Sequence, residues 1–88
     1  MKVVFSEAAW DDYLAWQAQH PEIVGRINDL LQSARRTPFT GIGKPEPLKG
    51  PLSGFWSRRI TQEHRLVYQV AGAGPDQRIE VLSCRKHY

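Results

Sequence analysis

Between Lys44 and Tyr68 the chain reads KPEPLKGPLSGFWSRRITQEHRLVY, and it ends in His87-Tyr88. This stretch sets Glu46 among Lys44, Lys49, Arg58, Arg59 and Arg65, with His64 as a sixth group able to carry positive charge. A carboxylate in a basic field, a histidine in reserve and no metal-ligand cluster suit metal-free RNA cleavage. RNA carries its own nucleophile, the 2′-hydroxyl. A cleaving protein must supply a base for that proton, cations for the phosphorane and an acid for the leaving 5′-oxygen. Glu46 is the candidate base. His87 is the candidate acid, because an imidazole holds or releases a proton near neutral pH. Arg65, with Arg59 and Lys49, would cradle the non-bridging oxygens, since a guanidinium fork matches a phosphate.

Each of these residues also has a plainer reading. A C-terminal His-Tyr is commonly a frayed tail, and a strand arginine is commonly solvated. A proline-bracketed glutamate makes a rigid turn. His64 follows a turn and reads as a surface residue. Cys84 and His87 have the spacing of some zinc pairs, but no second pair accompanies them, so no metal is expected.

Composition limits the field. The chain has 88 residues, 41% hydrophobic and 24% charged, which suits one small globular domain spanning 1–88. The formal charge of +3 is unevenly spread. Residues 1–43 hold four bases and five acids, whereas residues 44–88 hold eight bases and four acids. The second half therefore carries a basic surface, for which a polyanion is the natural partner. Cys84 is the single cysteine, so no intrachain disulfide forms. No signal-peptide pattern or membrane-length apolar run is present, and a cytoplasmic protein with no membrane partner is expected.

The positioning elements can be read in order. Lys2–Phe5 suits a first strand. Ser6 then offers an N-cap, with Glu7 in the first turn of a helix. Trp10, Tyr13, Leu14 and Gln17 follow helical spacing, and the stripe Trp10/Tyr13/Trp16 is read as core rather than as a stacking platform. Pro21 opens a second helix whose apolar positions are Ile23, Val24, Ile27, Leu30, Leu31 and Ala34. Arg35 and Arg36 suit its last turn, and Pro38 ends it. Pro45 and Pro47 should hold the neighbours of Glu46 extended. Strands are expected at 54–60, 65–70 and 78–84, joined by TQEH and by the Gly/Pro loop GAGPDQ at 72–77. Alternation points Leu66, Tyr68 and Val70 toward the helices and Arg65, Val67 and Gln69 away from them. The expected fold is α+β: a two-helix hairpin on one face of a small twisted antiparallel sheet, in the order βααβββ. Its helix-free face would display Arg59, Arg65 and, if the last strand stays regular, Ser83, Arg85 and His87.

The segments RRTPF (35–39), GKPEPLK (43–49), LSGFWSRRIT (52–61), EHRLVY (63–68) and CRKHY (84–88), with WDDYL (10–14), closely resemble the YoeB family of toxin–antitoxin ribonucleases. The likeness spans nearly the whole chain. It implies the RelE-like microbial-ribonuclease fold and cleavage of messenger RNA in the ribosomal A site, without a cofactor. It implies general base, transition-state and general acid roles for Glu46, Arg65 and His87. Lys49, Arg59 and Tyr88 would then support phosphate and base contacts, with Lys44 beside them. It further implies a YefM-like antitoxin whose acidic C-terminal segment covers the cleft, and a homodimer is one state open to such a chain. The GAGPDQ loop is longer than is usual in the family, and Lys86 stands where an aromatic residue is common. Two rival readings share the same cleft: a catalytically silent RNA- or ribosome-binding module, and a domain that only holds an acidic peptide.

Overall fold

The computed structural model describes residues 1–86; His87 and Tyr88 lie outside the described residues. Strand β1 (Lys2–Phe5) runs straight into helix α1 (Glu7–Gln19). Ser6 makes the turn: its hydroxyl accepts from Ala9 N at 3.0 Å and donates to Leu82 O at 2.9 Å. That one side chain caps the helix and ties it to the far end of the chain. Helix α2 (Pro21–Arg36) starts on Pro21, where the absent N–H leaves no gap in the helical ladder. Arg35, in its last turn, reaches across to donate to Met1 O at 3.0 Å.

The sheet has five strands in the order β1-β5-β4-β3-β2. Strand β2 (Glu46–Pro47), β3 (Trp56–Arg59), β4 (Arg65–Ala71) and β5 (Arg78–Ser83) form an antiparallel meander. Two points depart from the expected wholly antiparallel sheet. Strand β1 pairs with β5 in parallel, Lys2 opposite Arg78 and Phe5 opposite Val81. The helices carry the chain to the opposite edge, and β2 enters running against β1. Three reversals then bring β5 back into the direction of β1. Glu46 itself is the second departure, because it lies in a short edge strand rather than a loop. An edge tolerates Pro47, whose missing N–H breaks no internal ladder.

Both helices cover one face of the sheet. Ile27, Leu30, Leu31 and Ala34 of α2 and Ala9 and Trp16 of α1 meet Leu66, Tyr68, Ile79 and Val81 in one core. The α2 stripe lies where its spacing put it. Helix α1 is rotated from expectation. Ala9 and Trp16 are buried, whereas Trp10 is 48% exposed and stacks on Tyr13 (5.6 Å, 10° between planes) beside Phe5. Two bonds to Cys84 set that rotation: Trp16 Nε1 donates to its carbonyl at 2.8 Å, and Asp12 accepts from its amide at 3.1 Å. The 72–77 loop closes on itself around a short helical turn, Gly74–Asp76. Gly72 (φ +77°) is required there, since a Cβ would lie 2.3 Å from Asp76 O. No helix among the described residues is long and apolar enough to cross a membrane.

Candidate active site

Strand register assembles the site. Glu46 lies opposite Ser57, Ser57 opposite Val67, and Arg59 opposite Arg65. Directly paired residues point to the same side, and so do residues two apart. Glu46, Arg59 and Arg65 therefore share the helix-free face, with Glu46 diagonal to Arg59 at a backbone spacing of about 7–8 Å. Glu46 and Arg59 are exposed and Arg65 is half-buried. Lys44 and Lys49, also exposed, flank Glu46 in the chain.

Two guanidinium groups directly opposite one another on neighbouring strands repel, and a sheet gains nothing from that pairing. An anion held between them would remove the penalty. Among the described residues neither arginine is in an ion pair: Glu46 is diagonal to Arg59, and Glu80, further along the sheet, accepts from Arg78 Nε and from Gln69 Nε2, each at 2.8 Å. Those bonds, Arg78 first and then Gln69, hold its carboxyl below the usual range. Arg65 is further fixed from within its own turn. One guanidinium nitrogen donates to the carbonyls of Thr61 (2.8 Å), Gln62 (3.0 Å) and His64 (3.1 Å). That end of the fork is immobilised before any ligand arrives.

Arg58 does not belong to this basic field. It projects to the helix side, is fully buried, and uses all five N–H groups internally. Nε donates to Tyr68 Oη (2.9 Å). One terminal nitrogen donates to Ser33 Oγ (2.8 Å) and Ile42 O (3.1 Å), and the other to Thr37 O and Thr40 O (both 2.8 Å). Tyr68 passes the bond on to Pro38 O at 2.6 Å. Burial raises the Tyr68 phenol above its ordinary range, and the neighbouring Arg58 charge offsets part of that rise. The hub gathers the 37–42 segment, and Gly43 continues the work. Gly43 O accepts from Arg59 N at 2.7 Å, and a Cβ on Gly43 would meet Leu30 at 2.5 Å and Arg58 at 3.1 Å. The backbone three residues before Glu46 is thus pressed against β3.

Among the described residues, the non-glycine positions with positive φ are Lys44 (+52°) and Lys86 (+64°). One lies two residues before Glu46 and the other immediately before His87. Lys44 is therefore not extended ahead of Pro45, as the proline pair had suggested. Such backbone costs about 1–3 kcal/mol and persists only where its surroundings over-determine it. Strain stands at the entry to both ends of the predicted acid–base pair.

His64 is not the solvated residue expected after a turn. It is half-buried and edge-on to Trp16 (ring centroids 4.7 Å), and its Nδ1 accepts from Lys86 N at 2.7 Å. The signal that could have found it is its place between the turn and Arg65, where a side chain must either cover Trp16 or leave it wet. The last strand does not stay regular. It ends at Ser83, and Arg85 lies with its guanidinium carbon 5.3 Å from the Trp16 ring, on the helix side. Arg85 and Ser83 therefore do not share a face. The predicted sites at His87 and Tyr88 lie outside the described residues. Cys84 is buried and its thiol is pushed up to about 12, by burial first and then by the nearby Asp12 charge, so it is a packing residue.

A two-helix layer on one face of a five-stranded mixed sheet is the fold of RelE-like toxins. A family profile described as "YoeB-like toxin of bacterial type II toxin-antitoxin system" matches residues 5–88. Toxin YoeB of Escherichia coli strain K12 is 58% identical over 88 residues, covering all of both chains. A solved YoeB/ParE toxin from Agrobacterium tumefaciens is also 58% identical and superposes with a TM-score of 0.97, covering all of both chains. The toxin chain of a heterotetrameric YoeB-YefM toxin-antitoxin complex from Staphylococcus aureus is 45% identical, with a TM-score of 0.88 over 100% of this chain and 98% of that one. The chain belongs to the YoeB-like toxins of bacterial type II toxin–antitoxin systems.

Proposed function

We propose that this toxin is a metal-independent, ribosome-dependent endoribonuclease that cuts messenger RNA in the A site and so stops translation. The observation that carries the reading is the opposed pair Arg59/Arg65 with Glu46 on the same exposed face. A phosphodiester between the two guanidinium groups relieves their repulsion and brings its ribose within reach of a carboxylate. Glu46 takes the 2′-hydroxyl proton, and the oxygen attacks the adjacent phosphorus. Arg65, pre-anchored by three carbonyls, faces the charge that grows on the non-bridging oxygens, with Arg59, Lys49 and Lys44 around it. His87 returns a proton to the departing 5′-oxygen, and Tyr88 supports the adjacent base. The upstream fragment then ends in a 2′,3′-cyclic phosphate. A YefM-like antitoxin is the natural inhibitor, since an acidic peptide satisfies the same cations; a heterotetrameric complex with it would parallel that of the relative.

The test uses ribosomes programmed with a defined message. Glu46→Gln should lower the single-turnover rate about 10²–10⁴-fold while ribosome binding survives. Products should carry cyclic phosphate or 3′-phosphate ends, and EDTA should leave the rate of ribosomes stabilised by polyamine unchanged. Undiminished cutting by Glu46→Gln would remove the acid–base assignment. Growth arrest without any RNA product would instead favour a binding module.

A further inference from the structure

We propose that His64 is a positioning residue, whose unprotonated Nδ1 holds Lys86, the residue that precedes His87 in the chain. The proposal rests on the reading of His87 as general acid. The described chain ends at Lys86, and the preceding residues are held at three places. Trp16 Nε1 donates to Cys84 O at 2.8 Å, Lys86 N donates to His64 Nδ1 at 2.7 Å, and Arg65 N donates to Lys86 O at 3.1 Å. The two bonds on Lys86 fall on either side of its positive φ, so its peptide groups are fixed in an orientation a free tail would avoid. The partners are consecutive residues, His64 and Arg65. The same turn therefore anchors the Arg65 fork and the residue next to His87.

The bond specifies a protonation state. An amide N–H donates only to an unprotonated ring nitrogen, so Nδ1 carries no proton and Nε2 does. His64 therefore acts through its acceptor and not as a second acid. Trp16 packs edge-on against the ring, and Arg85 lies over the same indole, which holds the imidazole plane. A general acid misplaced by even about 1 Å loses on the order of 10²-fold in rate, so a clamp one residue away governs turnover rather than binding.

The experiment compares His64→Asn with His64→Gln in the full-length toxin. Asn Oδ1 stands where His Nδ1 stands, one bond from Cγ, whereas the Gln oxygen stands one bond further out. Both remove the ring from Trp16, so packing loss is common to the pair. Single-turnover cleavage on ribosomes should fall on the order of 10–10²-fold in His64→Gln, with the half-saturating ribosome concentration unchanged. His64→Asn should recover most of that loss. Hydrogen exchange at the Lys86 amide should be slow in the wild type and His64→Asn and fast in His64→Gln. Equal losses in both variants, an effect on binding alone, or a fast-exchanging Lys86 amide in the wild type would overturn the proposal. If the wild type cuts no RNA, the ribonuclease reading fails by itself, and the amide exchange still decides whether His64 holds the tail.

Discussion

Arg58 and Arg59 stand side by side on β3, and the two faces of the sheet put them to opposite uses. On the helix side, Arg58 is sealed in the core with every donor matched to a protein oxygen. On the open side, Arg59 is exposed and faces Arg65, a partner of its own sign. One face is satisfied internally and adds order. The other sets two cations opposite one another, an unfavourable pairing that a bound anion would relieve. Local rules are broken in this way at functional surfaces, where binding compensates for them.

The comparison can be broken most severely at the hub. Arg58→Ala leaves five buried or half-buried acceptors without their donor and opens a void, so stability should fall by about 3–5 kcal/mol. An unchanged denaturant midpoint would mean that the 37–42 segment holds itself. Gly43→Ala is next. Its Cβ would overlap Leu30 on a backbone with φ of +84°, and a loss of about 2–4 kcal/mol is expected in urea titration. A variant as stable as the wild type would show that the approach to Glu46 is slack.

Alkaline pH probes the same side more gently. Tyr68 and Cys84 are both raised in the folded protein, so the unfolded chain gives up these protons first. Their stabilisation is complete below the ordinary thiol value near 9 and is lost as pH climbs through the folded values, about 12 for Cys84. Urea midpoints should decline from pH 9 upward, and Cys84→Ala should flatten part of the decline. A level or rising profile contradicts the assignment. The smallest stability change belongs to the open face: Arg59→Ala should stay within about 0.5 kcal/mol of wild type. It should nevertheless reduce the salt dependence of RNA binding by about one phosphate contact. A clear loss of stability without a change in salt slope would make Arg59 structural and erase the contrast.

Local chemistry was readable from the residues alone. Ser6 as a cap, Pro21 as a helix start and the α2 stripe are written in short-range patterns, and strand alternation placed Arg59 and Arg65 correctly. The same alternation sends Arg58 inward, yet charge counting kept it in the basic field. A composition rule cannot see that Ser33, Thr37, Thr40, Ile42 and Tyr68 converge to receive it. The parallel β1–β5 pairing, the strand that carries Glu46, the rotation of α1 and the His64–Lys86 bond share that character. Each joins residues far apart in sequence, where period and propensity are silent. The acid–base pair itself came from family likeness and residue chemistry, and its His87 end falls beyond the described residues.

The place of β5 between β1 and β4 has a consequence for the cell that makes this protein. The first strand to be synthesised waits for the last one before it has any neighbour, and the residues after β5 emerge later still. Sheet closure is therefore a late, long-range step that waits for β5 to be made.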